Sequence, residues 1–221
     1  MGFRSQLRVR RLIRRVALLL LLAGCSNAEQ PATLAFEVAG RLEDAKIREA
    51  SGLARSQREP GVLWIINDSG AKEILYAIDL NGASLGRTDL KKSNNKDWED
   101  LASFTRDGEH YLVVDDIGDN DMRHKTRTLY FLKEPKAGKD KTTVDWEVRF
   151  RYPNGRRDAE AVAIDTENER ALVLSKRDIP PSLYEVPLRA DGDDKVTAKW
   201  LGTIESLPRP SRQDVEFAPK T

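Results

Sequence analysis

Acidic side chains recur in one short pattern, Asp-x-Glu-x-apolar-Ala. It occurs at Asp97-Trp98-Glu99-Asp100-Leu101-Ala102 and at Asp158-Ala159-Glu160-Ala161-Val162-Ala163. A third copy, Asp214-Val215-Glu216-Phe217-Ala218, stands close to the C-terminus, and Glu49-Ala50-Ser51-Gly52-Leu53-Ala54 is a degenerate earlier one. Carboxylates gathered at one place repel unless protons or a cation neutralise them. Hard cations such as Ca²⁺ take about six to eight oxygen ligands. Glu99, Glu160 and Glu216, with Asp116 and Asp119 from Asp116-Ile117-Gly118-Asp119-Asn120, would suit Ca²⁺ or Mn²⁺ better than zinc. The competing reading is structural: each Glu accepts backbone N–H bonds from a neighbouring unit, and each Asp serves a turn. Lys176 and Arg177 could hold an anion beside a metal, or form a solvated pair at a strand end.

Other chemistries have less support. His110 and His124, the two histidines, read as surface residues and argue against a His-rich transition-metal site. Ser51-Gly52 and Ser69-Gly70 lack a nucleophile elbow. The acidic run from Asp116 lacks EF-hand spacing.

The elements that must position these groups are strands. Taking Ser51, Glu99, Glu160 and Glu216 as equivalent gives steps of 48, 61 and 56 residues. Such a period, stretched by loops, marks a propeller or similar array. Short apolar, β-branched and aromatic runs such as 62–66, 74–78, 111–114, 128–132, 171–174 and 183–186 alternate with Asn81-Gly82, Asp107-Gly108, Asn154-Gly155 and Asp191-Gly192 turns. The expected fold class is all-β: a β-propeller of four-stranded antiparallel blades at 51–90, 97–152 and 158–204, with a fourth beginning near Asp214. The fourth strands are expected at 143–152 and 196–204, and residues 33–42 as the outer strand of a last blade. Tyr76, Tyr130 and Tyr184 stand at matching positions and are expected to pack between blades. With about three blades and the start of a fourth, the propeller reads as truncated, since closure takes roughly four to eight.

The N-terminus reads as a targeting segment. Six arginines precede the short apolar run Val16–Leu22, and Leu22-Ala23-Gly24-Cys25 resembles the lipobox of bacterial lipoproteins. That resemblance implies a signal peptide over 1–24, diacylglycerol and acyl groups on Cys25, a tether over 25–32 and a folded domain over 33–221. Ser26 then points to the outer membrane, facing periplasm or surface; an ordinary signal peptide is the plainer alternative. Residues 1–24 carry six Arg and no acid, so residues 25–221 hold 31 basic and 36 acidic side chains, a net of −5. That balance gives no reason to expect nucleic acid. Partners are the membrane, through the lipid, and an unspecified ligand or protein. With Cys25 the sole cysteine, no intramolecular disulfide can form.

Glu49–Ala54, Leu63–Gly70, Asp97–Ala102, Asp116–Asn120 and Asp158–Ala163 together resemble a family of secreted bacterial β-propeller proteins, similar in layout to phytase-like and esterase-like propellers. The resemblance implies the fold. In the phytase relatives, rim carboxylates hold calcium that binds phosphate; Glu99, Glu160 and Glu216 would correspond. Ser51 in place of Glu, and blades missing beyond Thr221, are departures. Two functions follow as expectations: a lipid-anchored envelope propeller binding a ligand or protein on its acidic rim, or a Ca²⁺-dependent phosphate-ester hydrolase.

Overall fold

The computed structural model describes residues 38–190 and 195–206. Among them every regular element is a strand. In chain order these are β1 (Ala50–Arg55), β2 (Val62–Asn67), β3 (Ile74–Asp79), β4 (Ser84–Lys91), β5 (Trp98–Arg106), β6 (Glu109–Asp116), β7 (Arg127–Lys133), β8 (Lys141–Thr143), β9 (Trp146–Arg151), β10 (Ala159–Asp165), β11 (Arg170–Ser175), β12 (Ser182–Pro187), β13 (Val196–Thr197) and β14 (Lys199–Thr203). They form three antiparallel meanders, β1-β2-β3-β4, β5-β6-β7-β9 and β10-β11-β12-β14. β5 lies against β1 on one side and β10 on the other, so three innermost strands follow one another as in a β-propeller.

Binary patterning explains the packing. Side chains alternate between sheet faces. The faces between the first and second sheets carry Trp64, Ile66, Leu75, Trp98, Leu112 and Leu132, and those between the second and third carry Val113, Leu129, Phe131, Phe150, Val173 and Val186. Trp64 and Trp98 are fully buried, a contribution of about 1.5–3 kcal/mol or more for each large apolar side chain. Tyr130 and Tyr184 are buried in these two layers. Tyr76, at the matching position, is buried on the outer face of the first sheet with Ile65, Ile78 and Ile47. At the β5–β6 hairpin, Asp107 and Gly108 both take positive φ (52° and 77°), as a tight two-residue turn requires.

Two expected fourth strands are broken rather than continuous. Residues 141–143 leave the second unit and pair in parallel with β4 of the first sheet. Val144 donates its N–H to the Lys91 carbonyl, 3.0 Å, and buries its side chain in the first core layer before β9 begins. The next unit does the same: β13 pairs in parallel with β9, and the Ala198 N–H bonds the Arg151 carbonyl at 2.9 Å before β14 joins β12. Each of these first two sheets therefore receives its outermost strand from the following unit, which covers an otherwise open edge. Residues 38–42 do not form a strand; Arg41 and Glu43 instead donate backbone N–H groups to the Asn81 and Gly82 carbonyls at the β3–β4 turn.

Candidate metal centre on the carboxylate rim

The repeat equivalence has a structural cause. Pairing slips between Ala50 and Gly52, between Trp98 and Asp100, and between Ala159 and Ala161. Ser51, Glu99 and Glu160 are therefore the unpaired bulge residues at the same point of each innermost strand. A bulge bends the strand and re-aims its side chain. The three bulges lie beside the ends of β2, β6 and β11, where Asn67, Asp116 and Ser175 pair with Ala50, Trp98 and Ala159.

Close approach of the innermost strands makes the site compact. A Cβ on Gly52 would stand 2.5 Å from the Leu101 backbone nitrogen, so only glycine fits there. Ser51 Oγ donates to the Trp98 carbonyl at 2.8 Å. On the other side of β5, Asp100 Oδ2 accepts the Val162 N–H at 2.9 Å.

Two carboxylate groups result. Asp68, Asp97 and Glu99 each offer an oxygen within 4.8 Å of one another, and so do Glu99, Asp158 and Glu160. Glu99 belongs to both. It is 5% exposed, and its carboxylate has no hydrogen-bond or ion-pair partner among the described residues. Gly118 makes room for it: a side chain there would collide with Glu99 Oε1 and Asp97 Oδ2. Burial, followed by the charges of Glu160, Asp68 and Asp97, pushes the Glu99 carboxyl up to about 9, against a smaller opposing effect of Lys176. Asp97 is pushed up to about 6, again by burial first and then by Asp68 and Asp158. The donors of both groups are all hard oxygens, the set that suits Ca²⁺ or Mn²⁺.

The two groups differ in compensation. Among the described residues, no cationic side chain bonds Asp68, Asp97 or Glu99. In the second group Lys176 forms an ion pair with Glu160, and Arg177 Nε donates to Asp158 Oδ2 at 2.8 Å while its Nη2 bonds Asn120 Oδ1. Asp158 Oδ1 also accepts the Asp119 N–H at 2.8 Å. Lys176 and Arg177 thus face carboxylates of the rim itself.

Of the sequence-selected residues, Glu99 and Glu160 come together, and Asp116 and Asp119 stand outside both groups. Asp116 Oδ1 accepts the Asp97 N–H at 2.8 Å, fixing the segment that precedes the bulge. Asp119 pairs with the buried Arg127 and accepts the Arg123 and His124 N–H groups at 2.8 and 3.0 Å. Burial works against ionisation of Asp119, but these donors hold its carboxyl below the usual range. Glu216 and Cys25 lie outside the described residues. His124 is exposed with Nδ1 3.1 Å from Asp119, and His110 faces Thr105; neither belongs to a carboxylate group. Asp68, Asp97 and Asp158 are outside the ligand set expected from sequence, and each carboxylate group crosses from one sheet to the next.

An open groove of about 1050 Å³ borders the rim, lined by Lys46, Arg48, Asn67, Ser69, Lys72 and Tyr76 among others.

No family model and no curated protein matches this chain. Among solved structures it is similar to a dihydro-heme d1 dehydrogenase NirN in complex with DHE (TM-score 0.37, 14% identity, 67% of this chain and 28% of that chain). It is likewise similar to the WD40 domain from Toxoplasma gondii coronin (TM-score 0.36, 14% identity, 62% and 31%). The matched part of this chain spans about a third of the length of either.

Proposed function

We propose that this is a lipid-anchored envelope protein whose acidic rim binds a ligand or protein partner with the help of a Ca²⁺-class cation held by Asp68, Asp97 and Glu99. One observation carries it: Glu99, a residue only 5% exposed, has no hydrogen-bond or ion-pair partner among the described residues and stands beside two further acids in a space kept open by Gly118. Such an arrangement is costly unless neutralised. A bound cation supplies charge neutralisation and open coordination positions for an anionic ligand. The chain's own residues do the rest: the bulge aims Glu99, Asp116 holds the Asp97 backbone, and the basic side chains of the bordering groove favour a ligand with a negative group. Cys25, after its apolar run, supplies the anchor.

Calcium titration of chelator-stripped protein by calorimetry, with thermal melting alongside, tests the site. Saturable heat and a raised Tm are expected in the wild type and absent in Glu99→Gln. No heat and an unmoved Tm in the wild type would remove the cation reading.

A second reading, hydrolysis of phosphate esters, is favoured by the two cationic side chains, Lys176 and Arg177, beside the carboxylates. Turnover of a general phosphate monoester that stops on adding chelator would support it. Cation binding without turnover leaves the binding role alone.

A further inference from the structure

The repeat puts opposite charges at equivalent positions on the two sides of Glu99. The residue following β2 is Asp68 and the residue following β11 is Lys176. Their backbones are held alike: the Asp68 N–H bonds the Glu49 carbonyl and the Lys176 N–H bonds the Asp158 carbonyl, each at 2.9 Å. Each therefore projects from the same point of its sheet. On the first sheet this position adds a third acid to Asp97 and Glu99. On the third sheet it brings an ammonium to Glu160, within the field of Asp158 and Glu99 as well. The second carboxylate group is thus satisfied from within, and the first is not.

We infer that Lys176 is a tethered counter-ion occupying the Glu99–Asp158–Glu160 group, and that it limits the rim to one divalent cation, bound at Asp68, Asp97 and Glu99. This rests on the proposed cation site and assigns its stoichiometry. A second dication would have to share Glu160 with an ammonium already bonded to it, and like charges at such range repel strongly. Arg177 pairs with the same group through Asp158, with its Nη2 on Asn120, and leaves Glu160 to Lys176. Lys176 is a residue that sets specificity and number rather than one that touches a ligand.

The test is native mass spectrometry of the full chain, stripped with chelator and given CaCl₂ alone in modest excess. Wild type is expected to carry one Ca²⁺ and Lys176→Met two. Lys176→Arg, which keeps the charge, should carry one. Asp68→Asn should carry none, and Asp68→Asn combined with Lys176→Met should regain one, now in the second group. A wild type with two ions, or a Lys176→Met variant with one, overturns the role given to Lys176 while leaving the cation site standing. A wild type with none ends both. Lys176 follows the end of a strand with its side chain 44% exposed, so the folded state should survive the substitutions; circular dichroism of each variant confirms it.

Discussion

Replacing Glu99 by Gln should stabilise the chelator-treated protein and abolish its response to calcium. Gln keeps the shape and removes the charge. In the fold the carboxyl is pushed up from 4.5 to about 9. The protonated form's contribution is complete below the unfolded value and is gone once pH has risen through the folded one. Near pH 8 the cost of holding Glu99 in the fold is therefore about 3.5 pH units of linkage, roughly 5 kcal/mol. Against this stands the desolvation of an unpaired amide, about 1–3 kcal/mol. The net gain is about 2–4 kcal/mol, or on the order of 5–15 °C in Tm for a domain of this size. At a Ca²⁺ concentration a hundredfold above Kd the wild type gains about 2.7 kcal/mol that the variant cannot. Scanning calorimetry with chelator and with calcium, from about pH 5 to 9, should show the variant's advantage growing with pH and shrinking or reversing with calcium. A Glu99→Gln protein that melts below wild type in chelator at pH 8 would refute the reasoning.

Gly118→Ala should place a methyl where Glu99 Oε1 and Asp97 Oδ2 stand, weakening calcium binding at least tenfold by calorimetry (about 1.4 kcal/mol). Glu134→Ala should cost about 2–4 kcal/mol in urea unfolding, because this 2%-exposed carboxylate accepts from Trp64 Nε1 (2.9 Å), Gln57 N (3.0 Å), Arg58 N (3.2 Å) and Ser56 Oγ, tying the second unit to the β1–β2 hairpin. The Arg87 guanidinium holds the Asp44 carboxyl below its ordinary value, so that pair's stability is present above the unfolded pKa and lost as pH falls through the folded one; Asp44→Asn should flatten the acid limb of a pH–stability curve. Cys25→Ala should abolish incorporation of radiolabelled palmitate and release the protein from the membrane fraction, a result that cell fractionation reads directly.

The strands and the bulge positions were legible because each signal is local. Alternation marked β2, β3, β6, β7, β11 and β12, and the recurrent acid–x–Glu marked the same unpaired residue in two sheets. Ser51 could be aligned only through its neighbours, yet it occupies the same bulge. The carboxylate groups were half legible. Glu99 and Glu160 announce themselves by repetition, whereas Asp68 joins them across a sheet boundary that no periodicity encodes. Asp116 and Asp119 look the same as ligands in sequence, and only the positions of the Asp97 N–H and of Arg127 assign them to the scaffold. The parallel pairing of β8 and β13 with the preceding sheets was invisible, since two or three residues leave no pattern of their own, although β13 falls within the expected 196–204 strand. Asp115 breaks its strand's pattern outright: it shares a face with Val113 and Ile117, is wholly buried and has no partner for either oxygen among the described residues, and burial drives its carboxyl far up. Nothing in the chain foretells its inward placement.

The borrowed edge strands have a consequence for how the protein is made. A sheet that takes β8 or β13 from its successor is incomplete until the ribosome has delivered the next 50 residues (Lys91 to Lys141) or 45 residues (Arg151 to Val196) past its own last strand. Assembly is then sequential, like roof tiles that each pin the one before, and a chain paused midway should expose one raw margin at a time. Proteolysis of nascent chains should accordingly cut near the most recent unit and spare those already overlapped.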